Sequence, residues 1–482
     1  MTNLPQEKNS TFSNAAIADL LLPKISKKQQ YLILLATSLG VLMNPLLASM
    51  IILALPNIGT EFLVSARDLG WMSTAYILSN AICLVPGAWF VDKVGYRKSF
   101  IAGTIIVAVT CLFAVFAPNY PVLLASRIVS GLGVSLLMIT SLAILSRIFP
   151  KEKRGFVIGI NTTMVYVGLT LGPFLGGILT ETLGWKSLFL LMGPLVFFSG
   201  ILLFVCMKTE FTIPVKKFDF VGAILYAVSM FLLMYGLSTI TDAGSVFLAG
   251  AGLILFAVFV WYELRNTHPL LHVRLFFENK RFARSSYAAL LNYAAVYAVT
   301  YMVSLYLQSI GHLNAAEAGM IMLFQPLLQV IATPIAGKIS DKVDAKYLVT
   351  AGMILTIFGL VFLSGLGLSM TNVAGYIMIT QVFIGLGAAL FSAPNTSTIM
   401  SSVSPAEYSM ASSVVSVVRQ VGMLISMAVC MAAISFFVGG TDMLGPDMYA
   451  QFVEALRVSM LISAGLAVVG VFFSWFRGQA ST

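Results

Sequence analysis

Residues 121–146 read PVLLASRIVSGLGVSLLMITSLAILS. The run carries one charge, Arg127, among apolar and small residues. A bilayer core takes about 20 such residues per helix, so this run is long enough to span one. Thirteen more runs share its character: 30–56, 70–91, 98–117, 156–179, 186–207, 220–239, 245–262, 286–309, 316–338, 348–367, 373–398, 409–437 and 453–475. The whole chain is 59% hydrophobic and 10% charged, with a mean hydropathy of +0.94. Soluble domains carry roughly 25% charged residues, so a soluble globular protein is excluded. The long unbroken runs also exclude a β-barrel, whose strands alternate. The expected fold class is an all-α polytopic membrane protein with 14 transmembrane helices.

An even number of spans puts both termini on one side. Most of the 28 basic residues fall in the termini and in the loops on that same side, among them Lys27, Lys28, Lys93, Arg97, Arg154, Lys208, Arg281, Lys342 and Arg477. Basic loops stay cytoplasmic, so a multi-pass protein of the cell membrane with cytoplasmic termini is expected. The net charge of +9 is spread over these loops, which argues against nucleic acid as a partner. Cys83, Cys111, Cys206 and Cys430 lie far apart in apolar runs, with neither metal spacing nor a disulfide pattern. No cofactor and no metal are expected.

Outward from Arg127, the chain repeats itself. Arg127-Ile-Val-Ser-Gly131-Leu-Gly133-Val-Ser-Leu136 matches Gln381-Val-Phe-Ile-Gly385-Leu-Gly387-Ala-Ala-Leu390. Asp92-Lys93-Val94-Gly95-Tyr96-Arg97-Lys98, after span 2, matches Asp341-Lys342-Val343-Asp344-Ala345-Lys346, after span 10, at nearly the same offset. Spans 9–14 therefore read as a second copy of spans 1–6, with spans 7 and 8 inserted between them. The expected organisation is a tail (1–29), a six-helix bundle (30–207), a linker with two extra helices (208–285), a second bundle (286–475) and a short tail (476–482). Two such halves are the parallel-repeat plan of a secondary transporter. No Gly-x-x-x-x-Gly-Lys-Ser/Thr loop is present, so no ATP-hydrolysing part is recognisable.

On these residues the chain resembles the major facilitator superfamily, and within it the fourteen-span drug:proton antiporter branch. Ala88, Asp92, Lys93, Gly95, Tyr96 and Arg97 are similar to the family's loop signature. Arg127, Gly131 and Gly133 are similar to its span-4 signature. Gly168, Gly172, Pro173, Gly176 and Gly177 are similar to the span-5 signature of antiporters. The resemblance implies a major facilitator fold and export of lipophilic small molecules in exchange for protons, with no enzymatic activity. It implies gating at the loop signature and a coupling role for Arg127. The chain departs from the pattern in span 1, where Leu47 and Ile52 take the places of the branch's Asp and Asn.

The residues also carry readings of their own. Asp92, with Lys93, Gly95 and Arg97, and its repeat partner Asp341, with Lys342, can pair with cations or accept N–H groups from a neighbouring helix end, making a gate. They can equally be topological anchors. Gly168, Gly172 and Gly176 share a helix face beside Pro173, suited to a rocking contact or to plain tight packing. Arg127 is costly in a membrane, by roughly 3 kcal/mol or more, and needs a partner or water. Arg419 either binds an anionic substrate group or joins helices. None of the 19 acids is central to a span, so Glu181, at a membrane edge, is the other coupling candidate besides Asp92. Asn44, Asn80, Asn161, Tyr166, Asn292, Tyr293, Tyr297, Gln325 and Gln381 are polar residues within spans. They line a substrate cavity or form interhelical hydrogen bonds.

The function expected is a secondary exporter of lipophilic small molecules, of the multidrug efflux and antibiotic-resistance kind. It works by alternating access as a proton antiporter, as a monomer in the lipid bilayer. The alternatives are a lipid or amphiphile transporter on the same fold, and an uncoupled facilitator.

Overall fold

A computed structural model of the chain describes residues 25–64, 66–214, 217–240, 244–267, 269–313, 315–368, 372–439 and 446–477. The terminal tails 1–24 and 478–482 lie outside the described residues, as do Lys8, Lys24, Lys216 and His268. Among the described residues, fourteen helices are long and apolar enough to cross a membrane. They are α1 (Lys27–Phe62), α2 (Ala66–Val94), α3 (Tyr96–Val115), α4 (Tyr120–Ile148), α5 (Arg154–Leu183), α6 (Lys186–Cys206), α7 (Phe220–Ser238) and α8 (Ser245–Arg265). In the second half, α9 is broken: Lys280–Val296 continues as Val299–Leu305 and a wide turn at Tyr306–Ile310. Likewise α10 runs as Ala315–Met322 and Phe324–Ser340. The last four are α11 (Ala345–Leu363), α12 (Val373–Ser401), α13 (Tyr408–Phe437) and α14 (Tyr449–Trp475).

Local chemistry sets the helix ends. Ser26 and Gln29 form a reciprocal capping box at the start of α1. Asn119 caps α4 just before Pro121, and Asp219, Asn279, Asp344 and Asn372 cap α7, α9, α11 and α12. Gly95 separates α2 from α3 at φ 110°, where a side chain would be strained and would strike Glu210. Several helices start or end away from the edges of the apolar runs. Thus α1 extends to Phe62, past residue 56.

The packing obeys the repeat. Within the first half α1 packs on α5 and α6, α3 on α4 and α6, and α2 on α4. Within the second half α9 packs on α13 and α14, α11 on α12 and α14, and α10 on α12. Each pair is the repeat image of another. The halves meet through α5 on α10 and through α2 on α13, which are also images of each other. The inserted α7 and α8 pack together, and α7 lies across the seam against both α2 and α13. Tyr226 on α7 donates to the Ala81 carbonyl of α2 at 2.9 Å, and the Trp71 and Tyr235 rings stack at 5.5 Å.

Ion pairs among the described residues lie at helix ends, as with Lys186–Glu61 at 2.8 Å and Arg457–Glu454 at 2.7 Å. Large apolar side chains such as Phe113, Phe204, Ile224 and Phe358 point outward. In water that surface would be an aggregation patch; in hydrocarbon it costs nothing.

Candidate functional site

The two halves are joined most closely at the face where Ile25 and Arg477 lie, here the termini face. Asp341 follows directly on α10 and reaches across to the start of α5. Its two oxygens accept the backbone N–H groups of Gly155 at 2.7 Å and Phe156 at 3.0 Å. These are unpaired donors at the positive end of a helix, where a carboxylate is worth about 0.3–2 kcal/mol. The image contact is made by Asp92, near the end of α2. It accepts from the Ser409 hydroxyl, the second residue of α13, at 2.6 Å. Gly155 and Gly337 bring the α5 and α10 backbones so close that a Cβ on either would strike the other's carbonyl. A Cβ on Gly159 would lie 3.1 Å from Pro334. Arg147 adds a bond to the Pro405 carbonyl at 3.3 Å, and the Arg154 guanidinium lies 5.2 Å from the Tyr408 ring centre.

The cations beside Asp92 do not pair with it. Lys93 lies over the Trp89 ring at 4.7 Å. Arg97 turns to the Phe204 carbonyl at 3.0 Å and covers the Phe204 ring. Lys342 is exposed. What clamps this loop is Glu210, beyond α6, which accepts the N–H groups of Arg97 at 2.8 Å and Lys98 at 3.0 Å. The Ile213 N–H donates to the Asp92 carbonyl at 2.9 Å, so the connection after α6 straps the loop down.

The glycines of α5 at positions 168, 172 and 176 face inward to their own half. Gly168 meets Pro45 and Leu46, Gly172 meets Ser49, and Gly176 meets Met50, all on α1. They are a tight intra-half contact, whereas Gly155, Phe156 and Gly159 are among the α5 residues that touch the other half. Pro173 sits within the unbroken α5.

Arg127 is the eighth residue of α4, so at 1.5 Å per residue it lies about 10 Å from the far end rather than at the centre. It is buried, with its guanidinium 4.4 Å from the Tyr76 ring centre and 5.8 Å from that of Phe189. Its Nε has no hydrogen-bond partner. Cation–π contact of about 2 kcal/mol when desolvated offsets much of the roughly 3 kcal/mol cost of a charge there. The Tyr76 hydroxyl in turn donates to Asn44. Both residues, with Ser130, border an enclosed cavity of about 10 Å³, close to the least space one water fills. Glu181 is exposed at the end of α5, and no ion pair links it to Arg127.

The polar span residues divide into three groups. Asn80 and Asn161 are buried within the first half. The Asn161 amide donates to Ser141 at 3.0 Å, and that of Asn80 reaches Met138 Sδ at 3.8 Å. Asn292, Gln325 and Gln381 are buried within the second half, with Asn292 Oδ1 and Gln381 Oε1 unpartnered. The third group meets at mid-depth between the halves. Arg419 on α13 donates to Met138 Sδ on α4 at 3.5 Å, and it acts electrostatically on the hydroxyls of Tyr166 on α5 and Tyr293 on α9. Tyr297 stands one turn beyond Tyr293, at the break in α9. Among the described residues, no three His, Cys, Asp or Glu side chains group as metal ligands.

The family model of the Major Facilitator Superfamily matches residues 37–282 and 285–481. The chain belongs to this superfamily. Its members are transporters rather than enzymes, and the fourteen helices and repeat-related packing fit that family. Among curated relatives, the riboflavin transporter RibZ of Clostridioides difficile is 30% identical over 83% of this chain and 87% of its own length. The multidrug resistance protein Stp of Mycobacterium tuberculosis is 29% identical over 86% of this chain and 78% of its own. The crystal structure of the human organic anion transporter MFSD10 (TETRAN) superposes with a TM-score of 0.65 at 13% identity. It covers 92% of this chain and 99% of that one, a likeness of fold alone.

Within this major facilitator chain, sequence reasoning reached Asp92 and Asp341 but missed what they hold. Ser409 opens α13 without a motif around it, and Gly155 and Gly337 stand outside the glycine stripe of α5. Glu210 lies in a connection where only the three-dimensional path gives it a task. The one available signal was the repeat. Mapping α10 against α2 and α13 against α5 pairs each acid with the start of the opposite helix.

Proposed function

We propose that the protein is a secondary exporter of lipophilic small molecules that works by alternating access and is driven by proton exchange. The observation that carries this reading is the pair of repeat-related latches, Asp341 on the start of α5 and Asp92 on Ser409 of α13. Both cross between the halves at one face only. Each is worth a few kcal/mol at most, a size that biases two conformations without locking either. The face they seal is the cytoplasmic one, since the basic loops lie there. The rocking units are 30–207 and 286–475, the linker 208–285 rides on the seam, and the monomer in the cell membrane is the working unit.

The named multidrug resistance relatives support an efflux role, and the riboflavin transporter supports organic substrates with flat ring systems. Proton coupling in this chain would pass through groups at the membrane edges, Asp92 and Glu181 among them, with Arg127 tuning the first half. Asp92→Asn tests the reading. The variant should fold and insert, because one part-buried hydrogen bond adds only about 1 kcal/mol and the amide oxygen can still accept it, while export drops about tenfold or more. Export at the wild-type rate by a normally inserted variant would defeat the gating assignment.

A further inference from the structure

The central group of residues has a charge character that narrows the substrate. None of the described acids falls in the middle of a helix: Asp92, Glu181 and Glu263 sit two residues from helix ends, and Glu454 is spoken for by Arg457. Arg419 is different. It is the twelfth residue of α13, about 17 Å along the helix from the termini face. Tyr166 on α5, Tyr293 on α9 and Met138 on α4 stand at similar depths. Arg419 is partly buried, and its one hydrogen bond among the described residues goes to a thioether, a weak acceptor for a group with five N–H donors. No ion pair joins it to any described residue.

Unspent polarity surrounds it. On α13 the buried Ser416 hydroxyl and both amide atoms of the buried Gln420 lack partners, three positions before and one after Arg419. On α9 the tyrosines at 293, 297 and 301 follow at one-turn intervals. The first packs against Gly422 of α13, three residues on from Arg419. Aromatic rings with hydroxyl tips thus follow one another along α9 from the cation outward, with the two outer rings exposed.

We propose that this central site takes an organic anion with an aromatic body, its carboxylate, sulfonate or phosphate on Arg419 and its rings on the tyrosine stripe. The proposal rests on the transporter reading above and narrows its substrate class. An anion supplies Arg419 with the charge-assisted, forked partner that the protein withholds. A lipophilic cation would meet a like charge in low dielectric with no central carboxylate to offset it. Arg419 binds through charge and geometry, so lysine should serve it only in part.

The test uses three compounds on one aromatic scaffold, ending in a carboxylate, a neutral amide and a quaternary ammonium. Binding to the full-length protein in detergent is read by tryptophan fluorescence, and uptake is read in proteoliposomes. The carboxylate should bind and move best and the ammonium worst. Arg419→Gln should weaken the carboxylate about ten- to hundredfold while changing the amide less than about threefold, with Arg419→Lys in between. A preference for the ammonium, no binding of any of the three, or equal carboxylate binding by Arg419→Gln would overturn the proposal. Carboxylate binding that depends on Arg419 without any uptake would keep the anion site and defeat the transporter reading instead.

Discussion

At the scale of single residues, Asp341 shows how a carboxylate can report a conformation. Burial in the sealed state lifts its carboxyl above the ordinary range, against the lowering effect of the Phe156 and Gly155 N–H groups. When the halves part, water restores the ordinary value. The sealed state therefore holds the proton more tightly than the open one. Acidification at this face favours the sealed conformation, and the effect fades as pH rises through the raised value. Spin labels placed on the termini ends of α5 and α10 should show the short distance gaining population as pH falls. Asp341→Asn should flatten that dependence. An unchanged pH response in the variant would assign the sensing to another group.

Residue chemistry was partly legible in advance. The acids Asp92 and Asp341 stood out because a repeated acid–base pair at a helix end is rare in a chain with 10% charged residues. Their partners were hidden because a helix N-terminus offers backbone N–H groups, and any residue type supplies those. Arg127 and Arg419 were visible as costly charges. That one lies between two rings in its own half and the other between the halves depends on side-chain direction, which spacing alone does not give.

At the scale of elements, α5 carries two glycine sets with different tasks. Gly168, Gly172 and Gly176 bind α1 inside the first half, while Gly155 and Gly159 touch α10 across the seam. The spacing of four announced a close-packed face but could not say which helix fills it. The two sets separate under substitution. Gly172→Val should cost about 1–3 kcal/mol of stability through overpacking against Ser49, seen as a lower melting temperature in detergent. Gly155→Val should strike Gly337 and penalise only the sealed conformation. It should raise labelling of a cysteine introduced at Ser340 while leaving the melting temperature within about 2 °C. Equal thermal losses in both variants would mean that the α5–α10 contact holds the fold and not a state.

The helix count, the repeat and the inserted pair were legible because each rests on patterns tens of residues long. Helix ends were less so: α1 runs on to Phe62, and α9 breaks at Tyr297, where the Ala298 N–H donates to the Ser426 hydroxyl at 2.9 Å. Such a break is set by a neighbour more than a hundred residues away in sequence.

At the scale of the molecule, the arrangement is two images of one six-helix unit, clasped at one face by two images of one contact. The inserted α7 lies across the seam on the α2–α13 side, with α8 packed on it. The matching α5–α10 side is held by direct helix contact instead, with the Gly155 and Gly337 backbones against each other. Rocking of the two halves, driven by protons and carrying a small molecule, is the proposed cycle. It is tested most directly by loading purified protein into liposomes and imposing a pH gradient, acidic on the side opposite the termini, with equal substrate on both sides. Net accumulation of substrate on the acidic side, ending when a protonophore collapses the gradient, is the predicted result. Substrate that remains at equal concentration on both sides, with and without the gradient, would contradict it.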